Sequence, residues 1–483
     1  MLDNFNINVD LFHKSLKNLG ENDMKKTDIS TLHKNIAEFK DKEIIIAGWV
    51  KSCRGNGNFG FLDVNDGTSF KGLQVIFTKE DLTNFDIVEK LNTGSAIICK
   101  GKIVLTPENK QPFEMKAIEI TVISATDSEY PLQKKKHSLE FLREIAYLRP
   151  RTNLFNAVFR VRSELSFLLH EFFNKKGFVY VHTPIITSSD CEGGSELFRV
   201  TTQDIYNEAK KFDPKDELFG KKTYLTPTGQ LEGEACAAAF GKIYTFCPTF
   251  RAENSNTNRH LNEFWHLEPE VSFMDLNGLM ELEEEMMKYI ISGIMKKCPD
   301  EMAFFNSFVD KDLFNRLNNV IENDFAHITY TEAIDILKKN NKNFAYPVEW
   351  GADIQTEHER YLSEVIFKRP VFVTDYPKDI KAFYMKINDD GKTVRGCDLL
   401  FPGIGEVTGG SERETDYEKL KAIMKEKNLR EEDYWWYMNL RKFGSVQHSG
   451  FGLGFERILM YVTGVTNIRD VILFPRTPNN CEF

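Results

Sequence analysis

Residues 250–270, FRAENSNTNRHLNEFWHLEPE, constrain this chain more than any other segment. Runs of strand character at 243–251 and 262–273 flank a polar stretch, Asn254-Ser255-Asn256-Thr257-Asn258. Two such runs joined by a short polar loop predict a hairpin, and therefore a sheet. Arg251 and Arg259 sit beside the loop, and Glu253, Glu263 and Glu268 lie on the same hairpin. Near the C-terminus GLGFER, residues 452–457, adds a third guanidinium, Arg457. Planar guanidiniums suit bidentate phosphate binding, and carboxylates accept hydrogen bonds from amines. The predicted ligand therefore combines a polyphosphate with an amine.

A chain of 483 residues exceeds one ordinary core and predicts two domains or more. The net charge of −10 argues against a general DNA or RNA coat, so any RNA contact must use a local basic patch. The eight cysteines, at 53, 99, 191, 236, 247, 298, 397 and 481, form no CxxC pair and read as buried reduced thiols. The ten histidines show no zinc-ligand spacing. No apolar run approaches the roughly 20 residues of a membrane span. The opening MLDNFNINVDLFHKSL has acidic residues and no apolar core, unlike a secretory signal, so a cytoplasmic location is expected.

Residues 1–38 are Lys/Asn-rich and read as an extension of uncertain order. Residues 39–125 hold five β-rich runs, EIIIAGWVKSC, FGFLDVND, GLQVIFT, SAIICKGKIV and EMKAIEITVIS, with a helical stretch at 82–91 after the third. That order predicts an OB-fold barrel, which binds oligonucleotides on an aromatic and basic face; a purely structural small barrel is the competing reading. Residues 126–150, with Pro131, Lys134-Lys135-Lys136 and Pro150, read as a hinge linker. From 151 to 483 helices and strands alternate. Val158, Val161, Leu165, Leu168, Leu169, Phe172 and Phe173 recur at helical spacing, and Gly177 is placed to end that helix. Further strands are expected at 370–375, 382–388, 394–401 and 446–453, and an acidic helix at 275–295. Many strands follow one another without crossover helices, so the sheet should be mostly antiparallel. No GxGxxG or GxxxxGK[ST] phosphate loop occurs. Residues 398–414, DLLFPGIGEVTGGSERE, place Asp398 and Glu406 beside a glycine-rich turn, a donor set suited to magnesium.

These segments also carry a family resemblance. FRAE…RHLNEF resembles motif 2 of the class II aminoacyl-tRNA synthetases, GLGFER resembles motif 3, and GFVYVHTPIIT is similar to motif 1. TPTGQLEGEACAAAFGKIYTF, EFWHLEPE and the terminal FPRTPNNCEF resemble the asparaginyl members of subclass IIb. The resemblance runs from about residue 40 to the end. It implies an α+β chain, with an N-terminal OB-fold anticodon domain before a catalytic antiparallel sheet flanked by helices. It also implies ATP-dependent joining of L-asparagine to tRNA(Asn) through an adenylate, with Mg²⁺, in a homodimer built on the motif 1 helix and strand.

By the same resemblance Arg251 bridges the α-phosphate and the substrate carboxylate, while Arg259 and Arg457 hold the γ-phosphate. Glu253 contacts the adenine amine side and Phe264 stacks on the ring, with Gly454 in the same ATP set. Asp398 and Glu406 bind metal. Glu192 meets the α-ammonium, Gln230 and Gly409 lie near the amino acid, Arg413 meets its side-chain carbonyl and Glu268 its amide. In the barrel Arg54, Phe61 and Gln74 read the anticodon. Aspartyl enzymes carry a lysine three residues beyond the glutamine, where this chain has Gly233. A pocket keeping Arg413 and Glu268 without that cation favours a neutral amide, and such paired contacts reject an isostere by roughly 10⁴-fold. The alternatives are an aspartyl-tRNA ligase, which could serve both tRNAs, an asparagine synthetase on the same fold, and a non-enzymatic RNA-binding paralogue.

Overall fold

The computed structural model describes residues 25–109, 111–189, 196–204, 206 and 212–483, in two compact units that divide between Asn156 and Ala157. In the first, strands β1 (Glu43–Gly55), β2 (Phe59–Asn65), β3 (Leu73–Thr78), β4 (Ala96–Leu105) and β5 (Phe113–Ser124) close a barrel in the order β1-β2-β3-β5-β4. Alternation drives the closure. In β3 every second residue, Leu73, Val75 and Phe77, is buried. The third connection carries one short helix, Phe85–Val88, inside the stretch predicted at 82–91.

The N-terminal boundary differs from the sequence reading. Helix α1, Ile29–Phe39, buries Ile29 and Leu32 in the barrel core and packs Ile36 and Phe39 against it. The backbone N–H of Ile29 donates to Asp66 Oδ2 at 2.8 Å. The end of the extension is therefore part of the barrel, and residues 1–24 lie outside the described residues. The linker is not structureless: it holds a helical turn, Leu139–Glu144, whose Phe141 N–H donates to the Ser138 hydroxyl.

In the second unit, helix α2 (Asn153–Lys175) buries all seven of the apolar positions predicted for it, and Gly177 takes a φ of +76° just beyond its end. Eight strands form the main sheet. They are β6 (Val179–Tyr180), β10 (Lys242–Phe250), β11 (Glu263–Ser272), β12 (Ala326–Thr329), β13 (Val371–Thr374), β14 (Gly396–Phe401), β15 (Gly405–Glu412) and β16 (His448–Gly454). Their order is β12-β13-β14-β15-β16-β11-β10-β6, antiparallel except for the pairs at the two edges. Three short strands, β7 (Ile186–Thr187), β8 (Arg199–Val200) and β9 (Thr223–Leu225), form a separate small sheet. Helix α3 (Gln230–Phe240) leads into β10, and α4 (Leu276–Lys297) follows β11. Helix α5, Phe455–Thr463, follows β16.

Two expectations need correction. The stretch 382–388 is not a strand. It follows a 3-10 turn and touches its neighbours through isolated bridges, Met385 to Arg413 and Ile387 to Val394. Its apolar residues have another use, since Phe383 and Tyr384 pack into a cluster with Tyr434 and Tyr437. Conversely, the glycine-rich segment expected as a turn is the central strand β15. Only the residues between β14 and β15 turn. Glycine suits this strand because neighbours crowd it: a Cβ on Gly410 would sit 2.9 Å from the Phe451 Cβ.

Candidate active site

The predicted hairpin is β10–β11, paired Phe250 with Glu263 through Lys242 with Val271. Period-two alternation sorts β11. Leu267 and Val271 are buried in the core, while Phe264, His266, Glu268 and Glu270 line a cavity of about 400 Å³. Across the cavity floor β16 supplies glycine at every second position. A Cβ on Gly450 would collide with the Glu270 carboxylate, and one on Gly452 would stand 2.8 Å from His266 Nε2. The GFGLG run therefore makes room for the acidic face of β11.

The hairpin loop is closed by Asn262, whose side-chain amide donates to the carbonyls of Arg251 at 2.7 Å and Glu253 at 3.0 Å. Arg251, Glu253, Arg259 and Phe264 line one end of the cavity, and the Arg251 guanidinium lies 5.5 Å from the Phe264 ring centroid. Gly454 and Arg457 reach the same wall from the start of α5, where backbone N–H groups and the helix dipole favour an anion. Arg457 Nη1 donates to the Glu406 carbonyl at 3.0 Å. The concentration of positive charge shows in His260. Its basicity is lowered by burial first, and Arg457, Arg251 and Arg259 oppose its proton against the pull of Glu253. Arg259 is likewise lowered by burial and then by Arg457.

Beside them lie carboxylates, the nearest being Glu406, whose Oε2 is 3.8 Å from Arg457 Nη1. Asp398 on β14 pairs with Gly409 on β15, and a Cβ at Gly409 would lie 3.3 Å from Asp398 Oδ1 and 3.4 Å from Glu406 Oε1. Gly409 thus separates the two acids. Asp398 accepts from Lys381 Nζ at 2.6 and 2.9 Å. Glu359 accepts from the Glu406 N–H and is pushed up to about 7, by burial and then by the charge of Glu406. This carboxylate surplus fits a cation. Magnesium takes one or two carboxylates and shares phosphate oxygens, and Asp398 and Glu406 are the acids here that could serve it.

The far end holds Gln230, Glu268, Glu270 and Arg413, all lining the cavity. The two glutamates differ. Glu268 accepts from the Thr228 hydroxyl, from Gly229 N–H at 2.9 Å and from Thr245 Oγ1 at 3.3 Å. His266 Nδ1 lies 3.2 Å away but is not aligned as a donor, so that contact is coulombic. Burial pushes Glu268 up, yet His266, Thr228 and Gly229 outweigh it and hold the carboxyl at about 2. Glu270 instead faces Arg413 alone among these donors, with Nε at 3.3 Å and Nη2 in close contact. Burial keeps Glu270 above the ordinary carboxylate range despite that partner.

Twelve of the residues anticipated from sequence therefore line one cavity: Gln230, Arg251, Glu253, Arg259, Phe264, Glu268, Asp398, Glu406, Gly409, Arg413, Gly454 and Arg457. Glu192 lies outside the described residues. The sequence reading missed Lys381, Glu359 and Glu270. Glu270 was within reach, because it sits two residues beyond Glu268 on the same strand face. In the barrel Arg54 pairs directly with Phe61 across β1–β2, and Gln74 pairs with Asp63 across β2–β3. Phe59 meets Phe61 edge to face at 5.6 Å, and Arg54 is exposed. Gln74 donates to Glu114 Oε2 at 2.9 Å. Among the described residues the cysteines are all free; Cys99, Cys247, Cys298 and Cys397 are buried as expected, whereas Cys53 and Cys236 are half-buried and Cys481 is exposed. No described helix is long and apolar enough to cross a membrane.

Comparison with known proteins agrees with this geometry. Residues 138–478 match the family model of class II tRNA synthetases (D, K and N), and residues 44–123 match the OB-fold nucleic acid binding domain. An asparagine–tRNA ligase of Alkaliphilus oremlandii is 59% identical over 464 residues, covering 95% of this chain and 100% of the relative. One from Acetivibrio thermocellus is 58% identical over the same span and coverage. The asparaginyl-tRNA synthetase of Pyrococcus horikoshii, solved with asparaginyl-adenylate, superposes with a TM-score of 0.84 at 35% identity, covering 95% of this chain and 100% of that one. An aspartyl-tRNA synthetase of Entamoeba histolytica superposes less closely, with a TM-score of 0.75 at 25% identity, covering 95% and 92%. With its barrel, its antiparallel sheet and its arginine-lined cavity, the chain belongs to the class II tRNA synthetases, in the asparagine–tRNA ligase family.

Proposed function

We propose that the cavity between β11, β15 and β16 is where this chain activates L-asparagine with ATP and then passes it to tRNA(Asn). The observation that carries the proposal is one cavity lined together by Arg251, Arg259 and Arg457, by Asp398 and Glu406, and by the paired Arg413 and Glu270. The asparagine carboxylate attacks the α-phosphate in line, the bond to the β-phosphate oxygen breaks, and pyrophosphate departs with its charge. Both reactants are anions, so the protein's contribution is alignment and charge neutralisation. Arg251 bridges the carboxylate and the α-phosphate. Arg259 and Arg457 take the terminal phosphate. Phe264 stacks on adenine, with Glu253 on its amino side. In the second step a ribose hydroxyl at the tRNA 3′ end attacks the same carbonyl, forming the ester and releasing AMP.

Asp398 and Glu406 would hold Mg²⁺, which supplies charge neutralisation at the phosphates. Of the two, Glu406 is the less tightly paired: Arg457 Nη1 stands 3.8 Å from its carboxylate, while Lys381 Nζ lies 2.6 Å from that of Asp398.

For the side chain, the hydrogen-bond inventory favours Glu270 over Glu268 as the acceptor that meets the amide. Glu268 spends its oxygens on Thr228, Gly229 and Thr245. Glu270 keeps acceptor capacity beside Arg413. Asparagine offers one donor and one acceptor to this pair, whereas aspartate would set a second carboxylate against Glu270. Gly233 supports the same choice, since a Cβ there would lie 3.6 Å from Glu270 Cγ without collision. The barrel face of Arg54, Phe61 and Gln74 reads the anticodon. A homodimer through α2 and β6 is supported by apolar groups left exposed there, Phe167, Val179 and Tyr180. A cytoplasmic location belongs to the same reading.

ATP–pyrophosphate exchange with asparagine, aspartate and lysine tests the proposal. Asparagine should be the preferred substrate, and Glu270→Gln should narrow its lead over aspartate more than Glu268→Gln does. Preference for aspartate by the unaltered chain would overturn it.

A further inference from the structure

Behind the Arg413–Glu270 end lies a second buried carboxylate that does not line the cavity. Glu234 stands one turn after Gln230 on α3, with no exposed side-chain area. Its Oε1 accepts from Gln230 Nε2 at 3.1 Å and from the Tyr437 hydroxyl at 2.8 Å. Its Oε2 accepts from Arg441 Nη2 at 2.9 Å and lies 3.0 Å from His448 Nε2. Arg413 Nε is 3.9 Å away. The Arg441 side chain is 1% exposed; its Nε donates to the Glu414 carbonyl at 2.9 Å and its Nη2 also meets the Tyr437 hydroxyl at 2.8 Å, and Glu234 is the carboxylate it pairs with among the described residues. His448 Nδ1 lies 2.8 Å from the Val446 carbonyl, so both of its ring nitrogens face acceptors. Two buried guanidiniums, Arg413 and Arg441, with the His448 ring beside them, thus face two buried carboxylates, Glu270 and Glu234.

We propose that Glu234 is a specificity-determining residue: by cancelling Arg441 from behind the pocket, it leaves Arg413–Glu270 a neutral pair that suits a neutral amide. The inference rests on the reading that the amino-acid side chain meets Arg413 and Glu270. The local charge balance follows directly. With Glu234 neutral, Arg441 and Arg413 face one carboxylate, and the surplus positive charge attracts an acidic side chain. With Arg441 neutral, the surplus is negative, and an acid is rejected more strongly. Charge placed in a site of low dielectric acts on ligands that it does not touch. Glu234 also anchors Gln230, so it is a positioning residue as well.

The test measures kcat and KM in ATP–pyrophosphate exchange for asparagine and aspartate, with Glu234→Gln, Arg441→Gln and the double variant, and with thermal melts of each. Glu234→Gln should lower KM for aspartate and raise it for asparagine, shrinking the ratio of kcat/KM by about tenfold or more. Arg441→Gln should move the ratio the other way, and the double variant should return it towards the starting value. A merely structural role would depress both amino acids alike, with no reversal of sign, and that result overturns the proposal. If Glu234→Gln does not fold, Arg441→Gln alone decides: a ratio unchanged or moved towards aspartate overturns it. Glu270→Gln separates the two levels of inference. A response there without any response at Glu234 or Arg441 refutes only this inference. No response at Glu270 withdraws the underlying pocket reading, and this inference falls with it.

Discussion

Glu283 offers a sharp test of the electrostatics beneath the active-site sheet. It lies on α4 with a fully buried side chain, against the face of β14 and β15 opposite the cavity. The Thr408 hydroxyl donates to it, Cys397 Sγ lies 3.6 Å away, and it makes no ion pair among the described residues. Burial therefore dominates and pushes the carboxyl up to about 8, with the charge of Asp398 acting in the same direction. The sign follows from linkage. The folded protein holds this proton more tightly than the unfolded chain, so the stabilisation is complete below the ordinary carboxylate value. It is lost progressively as pH rises through about 8. The whole interval is worth at most about 5 kcal/mol, and relaxation around the group should leave about 2–3.

Glu283→Gln keeps the shape and replaces the protonated acid with a neutral amide, which likewise offers both donor and acceptor capacity. The variant should therefore lose this pH dependence. Urea unfolding of the full chain and of Glu283→Gln at several values between pH 5 and 9 measures it. The variant should gain on the parent by about 2–3 kcal/mol between the two ends, with exchange activity largely retained. A stability difference that stays flat across that range would refute the argument. It would mean that Glu283 is ionised in the folded protein, stabilised by a partner or a water.

Other outcomes follow from the site. Arg251→Ala and Arg457→Ala should each slow adenylate formation by roughly 10² or more while the melting temperature holds, as seen by exchange and calorimetry; unfolding of either would make it a structural ion pair. Glu406→Ala should raise the magnesium needed for exchange more than Asp398→Ala does, because Lys381 already neutralises Asp398; full activity of Glu406→Ala at ordinary magnesium would remove it from the metal site. Phe61→Ala should remove a stack worth about 1–3 kcal/mol, raising KM for tRNA in aminoacylation while exchange with asparagine stays near normal; equal damage to both would make Phe61 a core residue of the barrel.

What the sequence made legible was what local periodicity encodes. The five barrel strands, the α2 stripe and the β10–β11 hairpin each repeat apolar residues at the period of their own structure, so their positions follow without any partner. Helix α1 is also periodic, at Ile29, Leu32, Ile36 and Phe39, but its Lys/Asn-rich surroundings concealed that signal. Where the pattern came from packing rather than pairing, it misled. The 382–388 stretch is apolar because Phe383 and Tyr384 fill a cluster, and β15 reads as a turn because crowding by Phe451 and Glu283 selects glycine in a central strand.

The site divides along the same line. Residue types that hold phosphate are visible in the chain, because Arg251, Arg259 and Arg457 stand in short motifs whose spacing survives folding. The state of a buried carboxylate is not visible, because its donors come from elsewhere. Glu268 and Glu270 are two residues apart with identical side chains, on one face of one strand. Glu268 is satisfied because Thr228 and Gly229 precede α3 and Thr245 lies opposite it on β10. Glu270 meets Arg413, 143 residues away, and the Glu234 that shares that guanidinium meets Tyr437, Arg441 and His448 across more than 200 residues. On the reading proposed above, specificity for an amide over an acid depends on the sum of those charges. It is therefore a property of how four segments meet, and no single motif carries it.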